Sequence, residues 1–288
     1  MHPYSILSPV GPQNGILFNS PHSGTYLPDD FLKQISIAPE QLHYSGDMFV
    51  DRLITDTPKF GATGFINHYA RTYVDTNRTA REIDPDMFIN PPQRDKFTKS
   101  DKVMRGFGIF SRRSYNGQGI YSHPLPASEI NYRLDRVYHP VHAALSELLK
   151  KIHQDHGYYL LLDCHSMPSY NFIGQELSRA TQPDLIIGDC FSQSCIGKIS
   201  QHVAGYFTNH GLKVAFNTPY SGGFNTQEYG KPAGGRNALQ LEFNRALYMD
   251  EKTLKVHDGF MPLQDLLTGL SDNLDRNLSG FFPAEQGL

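Results

Sequence analysis

Tyr158-Tyr159-Leu160-Leu161-Leu162-Asp163-Cys164-His165-Ser166 is the stretch that decides how this chain folds. From Tyr158 to Cys164 the run is nearly unbroken in apolar side chains. A strand of that kind must be covered on both faces, as central strands of parallel sheets are. Just before it, Gly157 closes the longest helical pattern, residues 127–156. There Ile130, Leu134, Val137, Val141, Leu145, Leu148, Leu149 and Ile152 recur at helical spacing. Pro140 predicts a kink in that helix.

Working outward, Gly15 to Ser20 reads as the first buried strand, stopped by Pro21. Residues 47–57 read as a helix with Phe49, Val50, Leu53 and Ile54 on one stripe. Residues 63–69 and 71–75 read as two strands or one broken strand. Asp184 to Gly188, Lys213 to Asn217 and Ala238 to Phe243 are further strands, with a helix over 192–210. Residues 251–276 carry Leu254, Val256, Phe260, Leu263, Leu267, Leu270 and Leu274 at helical spacing. Strands alternating with helices predict an α/β fold with a mixed, mostly parallel sheet covered by helices. One domain over residues 1–288 is the simplest organisation, with two left open by length alone. Residues 85–126, rich in Pro, Gly and polar side chains, read as an irregular insertion, and 219–236 as a Gly-rich loop.

A net charge of −3 argues against nucleic acid as the main partner. Three cysteines, Cys164, Cys190 and Cys195, do not make a disulfide framework, and a reducing cytoplasm is expected. Met1-His2-Pro3-Tyr4 lacks the basic stretch and apolar core of a secretory signal, and no apolar run is long enough to span a bilayer. Thirteen histidines leave room for a metal site.

Three strand ends carry chemistry-bearing residues. His22, in Ser20-Pro21-His22-Ser23-Gly24, is either a metal ligand or a loop histidine bonded to backbone. Asp163 and His165 are two apart and share a face. A metal on His165 with Asp163 orienting the ring would satisfy both, as would a plain hydrogen-bonded pair. In Ala238 to Arg245, Gln240, Glu242 and Asn244 alternate with Leu239, Leu241 and Phe243. Glu242 is therefore a general base in a desolvated setting, or part of the solvated face of an edge strand. Arg71 and Arg78 flank an Asp75-Thr76-Asn77-Arg78 run, suited to gripping carboxylates or to a surface salt-bridge cluster.

Taken together, Asn19 to Gly24, Asp47 heading Asp-Met-Phe-Val-Asp, Val74 to Arg78, Asp163 to Ser166, Ala238 to Arg245 and Leu247 to Met249 resemble the N-formylglutamate amidohydrolase (N-formylglutamate deformylase) family over nearly the whole chain. The site is also similar to those of aspartoacylases and zinc carboxypeptidases. The resemblance implies a single-domain three-layer sandwich with about eight strands and helices on both faces. It implies hydrolysis of N-formyl-L-glutamate to L-glutamate and formate in histidine degradation, with one Zn2+ per chain. By position, His22 and His165 match the metal histidines, Glu242 the general base and Arg71 the group that polarises the scissile carbonyl. Asn77 and Arg78 match the holders of a substrate carboxylate, with Arg236 and Arg245 as candidates for a second. Where the carboxypeptidases have a ligand glutamate three residues after the first histidine, this chain has Thr25. Asp47 is the expected replacement, with Asp75 and Asp163 as alternatives. Competing readings are a deacylase or exopeptidase for another N-acyl amino acid, a non-heme iron protein, and a binding protein of the same fold. The expected partner is a small carboxylate-bearing substrate, with neither membrane nor nucleic acid, and an oligomer is open.

Overall fold

In the computed structural model the described residues are 1–92, 94–169 and 182–282. The long strands are β1 (Tyr4–Leu7), β2 (Ile16–Ser20), β3 (Thr63–Asn67), β4 (Tyr159–Met167), β5 (Leu185–Gly188), β6 (Val214–Phe216) and β7 (Arg236–Asn244). They form one mixed sheet in the order β1-β3-β2-β4-β7-β5-β6. β2, β4 and β7 run parallel, β5 is antiparallel to β7, and β6 runs parallel to β5. Among the described residues the main sheet has seven strands, in keeping with the expected mixed sheet of about eight. Two short pairs lie outside it, Phe88–Ile89 with Leu125–Pro126 and Met249–Asp250 with Lys255–Val256.

The apolar runs are buried as their sequence requires. Every residue of β2 and β4 is buried, and Leu160, Leu161, Leu162, Leu239, Leu241 and Phe243 are fully enclosed. The pattern that suggested an edge strand for β7 has a different outcome. β4 flanks it on one side and β5 on the other, so Gln240, Glu242 and Asn244 are buried with their apolar neighbours.

Backbone packing divides the chain into two compact units. One comprises Ile6–Ser20, Phe49–Phe65 and Ser146–Leu288. It holds most of the sheet, the packed helices Val50–Leu53, Gly197–Asn209 and Phe260–Asn277, and the short helix Phe224–Tyr229 against β4 and β7. The other comprises Met1–Ser5, Pro21–Met48 and Ile66–Leu145, and includes the insertion. That insertion is irregular in secondary structure but densely bonded. Ile109 donates its N–H to Glu82 O, Asp75 to Ile109 O and Thr98 to Arg81 O. Buried Arg133 holds Glu129, the Tyr121 hydroxyl and Gln34 Oε1 at 2.7–2.9 Å, among the rings of Phe31, Tyr73, Phe110 and Tyr121.

Several elements differ from their sequence reading. The long helix is Ser128–Arg133 and His139–His156, joined by a widened turn at Leu134–Tyr138. The widened turn directly precedes Pro140, which lacks the N–H that regular α geometry needs. Of residues 47–57, the α-helix covers Val50–Leu53, with Phe49 before it at a left-handed φ of 69°, and Thr57 opens a separate 3-10 turn, Thr57–Phe60. Residues 71–75 form a turn, not a strand, with Tyr73 and Val74 N–H on Ala70 O. The Arg71–Asp75 ion pair requires it, since an extended chain would separate those residues by about 13 Å. The helix expected from 192 starts at Gly197. Before it, Cys190, Phe191 and Ser192 all have positive φ, and Asp189 Oδ1 accepts from both Ser192 N–H and Asn217 Nδ2. The C-terminal helix starts at Phe260, because Leu254 is left-handed and Val256 lies in a short strand.

Candidate active site

His22 lies in the turn that follows β2 and is buried. Gly24 holds this turn close to the chain after β3. A Cβ there would stand 2.4 Å from the His68 carbonyl carbon and 2.6 Å from Tyr69 O. Tyr26 N–H donates to His68 O, and Ala70 N–H to Tyr26 O. The His22 ring is held on one side by Asp75, whose Oδ1 lies 2.7 Å from Nε2. A carboxylate only accepts, so Nε2 carries a proton, and in the neutral ring that a metal requires Nδ1 is the lone-pair nitrogen. Asp47 Oδ2 stands 3.4 Å from that Nδ1, and Asp47 N–H donates to His22 O.

Asp75 also organises the arginines. Its Oδ2 takes Arg71 Nη2 at 2.7 Å, Arg78 Nη2 stands 3.9 Å away, and Oδ1 accepts Asn77 N–H. Burial alone would raise its pKa, but Arg71, His22 and Arg78 hold the carboxyl well below the usual carboxylate range. Arg78 is fixed further by Phe107 O and Asn77 O, and its own carbonyl accepts from the Tyr138 hydroxyl.

In the sheet, register sets the second half of the site. Asn19 on β2 is level with Asp163 on β4, Asp163 with Gln240 on β7, and His165 with Glu242. Asp163 is wholly buried. It accepts Asn19 Nδ2 at 2.6 Å and Asn225 Nδ2 at 3.3 Å on Oδ1, and His165 Nε2 at 2.8 Å on Oδ2. The His165 ring thereby also presents Nδ1 as its lone-pair nitrogen. Gln240 Nε2 donates to Glu242 Oε1 at 2.7 Å and its Oε1 accepts Gly223 N–H, which seats the glycine loop. Gly188 makes that seat: a Cβ on it would come 2.7 Å from the backbone of Ser221 and Gly222.

His22, Asp47 and His165 each offer one ligand atom, and these atoms all lie within 4.8 Å of one another. The group could hold a metal ion. Its donors, two imidazole nitrogens and a carboxylate oxygen, suit zinc. Two donors each about 2.1 Å from a tetrahedral ion stand about 3.4 Å apart, which is the His22–Asp47 separation. Asp75 and Asp163, the alternatives to Asp47, each spend an oxygen on the Nε2 of one of the two rings.

Arg236 is not placed at this site. It opens β7, level with Tyr159, six residues and roughly 20 Å along the strand from Glu242. The sequence reading put it in the glycine loop, but that loop contains the helix Phe224–Tyr229 and the turn Pro232–Gly234 and ends before Arg236. Arg245, just past β7, is buried with its Nε on Ser166 Oγ. Asn19 and Asn225 were missed as supports of Asp163. Asn19 precedes the quoted Ser-Pro-His turn and could have been found there; nothing local marks Asn225.

The mixed α/β sheet thus carries a buried His-Asp-His set that could hold a metal ion, with a glutamate in register beside one of the histidines. Residues 14–249 match the family of N-formylglutamate amidohydrolases, and the chain belongs to that family. The N-formylglutamate deformylase of Pseudomonas aeruginosa is 27% identical over 240 residues, covering 82% of this chain and 83% of that protein. That of Pseudomonas putida is 26% identical over 239 residues, 82% of each. A crystal structure of N-formylglutamate amidohydrolase from Ralstonia eutropha is 32% identical and superposes with a TM-score of 0.91, covering 98% of this chain and 100% of that one. A gene product of Agrobacterium tumefaciens, 17% identical with a TM-score of 0.65, shares the fold.

Proposed function

We propose that the chain hydrolyses the formamide of N-formyl-L-glutamate, giving L-glutamate and formate, with one zinc ion on His22, Asp47 and His165. The observation that carries this reading is the pairing of family membership with the three buried ligand atoms within 4.8 Å. When bound, the ion would polarise the formyl carbonyl and lower the pKa of water toward about 7.

The protein's own groups have distinct tasks. Asp75 and Asp163 hold the two imidazoles by Nε2, which fixes their tautomers and raises the basicity of the donor nitrogens. Glu242 takes a proton from the attacking water as its oxygen bonds to the formyl carbon. It returns that proton to the nitrogen as the C–N bond breaks, so formate and the free amine leave. Arg71, anchored on Asp75 and partly exposed, stabilises the developing oxyanion. Asn77 and Arg78 hold a substrate carboxylate. The reaction would serve histidine degradation in the cytoplasm; among the described residues no helix is long and apolar enough to cross a membrane.

The test is formate release from N-formyl-L-glutamate by the full chain, before and after removal of metal by a chelator and reloading with zinc. Release that zinc restores is expected. Undiminished release by metal-depleted protein would overturn the role of the ion, and no release with zinc present would overturn the substrate.

A further inference from the structure

N-formyl-L-glutamate carries two carboxylates, and Asn77 with Arg78 accounts for one. Neither Arg236 nor buried Arg245 provides an evident second cation. The insertion does. Its short helix Asp101–Met104, capped by Ser100, carries Lys102. Phe107 links this lysine to the arginine site: its N–H donates to Lys102 O at 2.8 Å, and its O accepts Arg78 Nε at 3.3 Å. The Lys102 backbone therefore stands within about 10 Å of the Arg78 guanidinium, so its side chain can reach the arginine's surroundings.

The local charge is unbalanced. Arg71, Arg78 and Lys102 share the region with Asp75 and Glu82. Both acids are committed: Asp75 to Arg71, His22 and Asn77 N–H, and Glu82 to Thr79 N–H and the Ser100 hydroxyl. Among the described residues Lys102 makes no ion pair or hydrogen bond through its ammonium. Its side chain is exposed, yet the protein around it and then the positive charge of Arg78 push the ammonium down to about 8. An unpaired cation beside other cations is relieved by an incoming anion.

We propose that Lys102 is a specificity-determining residue that binds the side-chain carboxylate of the dicarboxylate substrate. This rests on the substrate proposed above and adds what selects a dianion over its neutral amide. The test is calorimetric titration of the zinc-loaded full chain with L-glutamate and with L-glutamine, which differ only in that group. The wild type is expected to prefer glutamate at least tenfold. Lys102→Met should lower that preference about tenfold, the scale of a hydrogen bond to a charged group. Lys102→Arg should retain most of it, and Lys99→Met all of it.

An unchanged glutamate-to-glutamine ratio in Lys102→Met would overturn the assignment. So would an equal loss of both ligands, which would mark a merely structural lysine, or no preference in the wild type. Formate release from N-formyl-L-glutamate separates the two proposals. A wild type that prefers glutamate through Lys102 but releases no formate refutes the activity alone. An active wild type whose preference ignores Lys102 refutes this inference alone.

Discussion

Asp163→Asn isolates the part of the site that orients a ligand without touching a substrate. The carboxylate accepts on both oxygens, from Asn19 on one and His165 on the other. An asparagine has only one oxygen to give. In the milder arrangement its NH2 faces Asn19, which turns its own amide around. That turn costs little, because Asn19 Oδ1 has no hydrogen-bond partner among the described residues. His165 Nε2–H then donates to a neutral carbonyl instead of a carboxylate. The difference between a charged and a neutral acceptor is about 1 kcal/mol, roughly fivefold to tenfold in metal affinity. In the harsher arrangement the NH2 faces the ring. Nε2 must then accept, the ring proton moves to Nδ1, and the metal donor is lost. The expected weakening is therefore about 10- to 100-fold. Competition against a chromophoric zinc chelator measures it. The metal-free variant should melt within a few degrees of the wild type, and turnover should recover as zinc is raised. A zinc affinity within twofold of wild type would refute the reasoning that Asp163 sets the His165 tautomer.

Glu242→Gln should keep the fold and zinc content, since a glutamine oxygen can still accept from Gln240 Nε2. Turnover should fall about 10²- to 10⁴-fold, and formate release within a few-fold of wild type would remove the general-base role. Gly24→Ala should destabilise by about 3 kcal/mol or more, because its Cβ would press on backbone at 2.4 Å; urea denaturation with an unchanged midpoint would contradict this. Asp75 predicts an acid limb of stability. Its folded pKa lies below its unfolded value of about 3.9, so its contribution is full above that value and is lost as pH falls through the folded pKa. Asp75→Asn should be less stable than wild type near neutrality, with the gap closing below about pH 4. A gap independent of pH, followed by denaturant titration from pH 3 to 7, would show that the ion pairs of Asp75 contribute nothing.

How much was legible follows from what each residue depends on. Asp163 and His165 could be placed on one face because a strand alternates with period two, and their contact is local. Glu242 was placed the same way, but its burial was not, because that depends on β5 crossing from a distant part of the chain to flank β7. Residues 71–75 have the composition of a strand and fold as a turn, since the Arg71–Asp75 pair and the Asp75–His22 bond outweigh propensity. Asp47 meets His22 through its own N–H on His22 O, a contact between positions 25 apart that no local sequence rule assigns. Lys102 was hidden because its meaning comes from Phe107, which joins the insertion to Arg78.

The two carboxylates that orient the histidines are not equivalent. Asp163 is surrounded by amides and one ring, so its removal should act on His165 and, through it, on the proposed metal. Asp75 serves His22 with one oxygen and Arg71 with the other, and it holds the Asn77 backbone beside Arg78. Removing its charge loosens a ligand and, in the same step, the groups proposed to stabilise the oxyanion and hold the substrate. Metal affinity and substrate KM should therefore change together in Asp75→Asn, and KM should stay near wild type in zinc-saturated Asp163→Asn. One carboxylate bonded to both a ligand ring and the arginines makes the approach of an anionic substrate and the basicity of His22 interdependent. An anion drawing Arg71 away leaves Asp75 a stronger acceptor for His22 Nε2–H, and so makes Nδ1 a better donor when the substrate is in place.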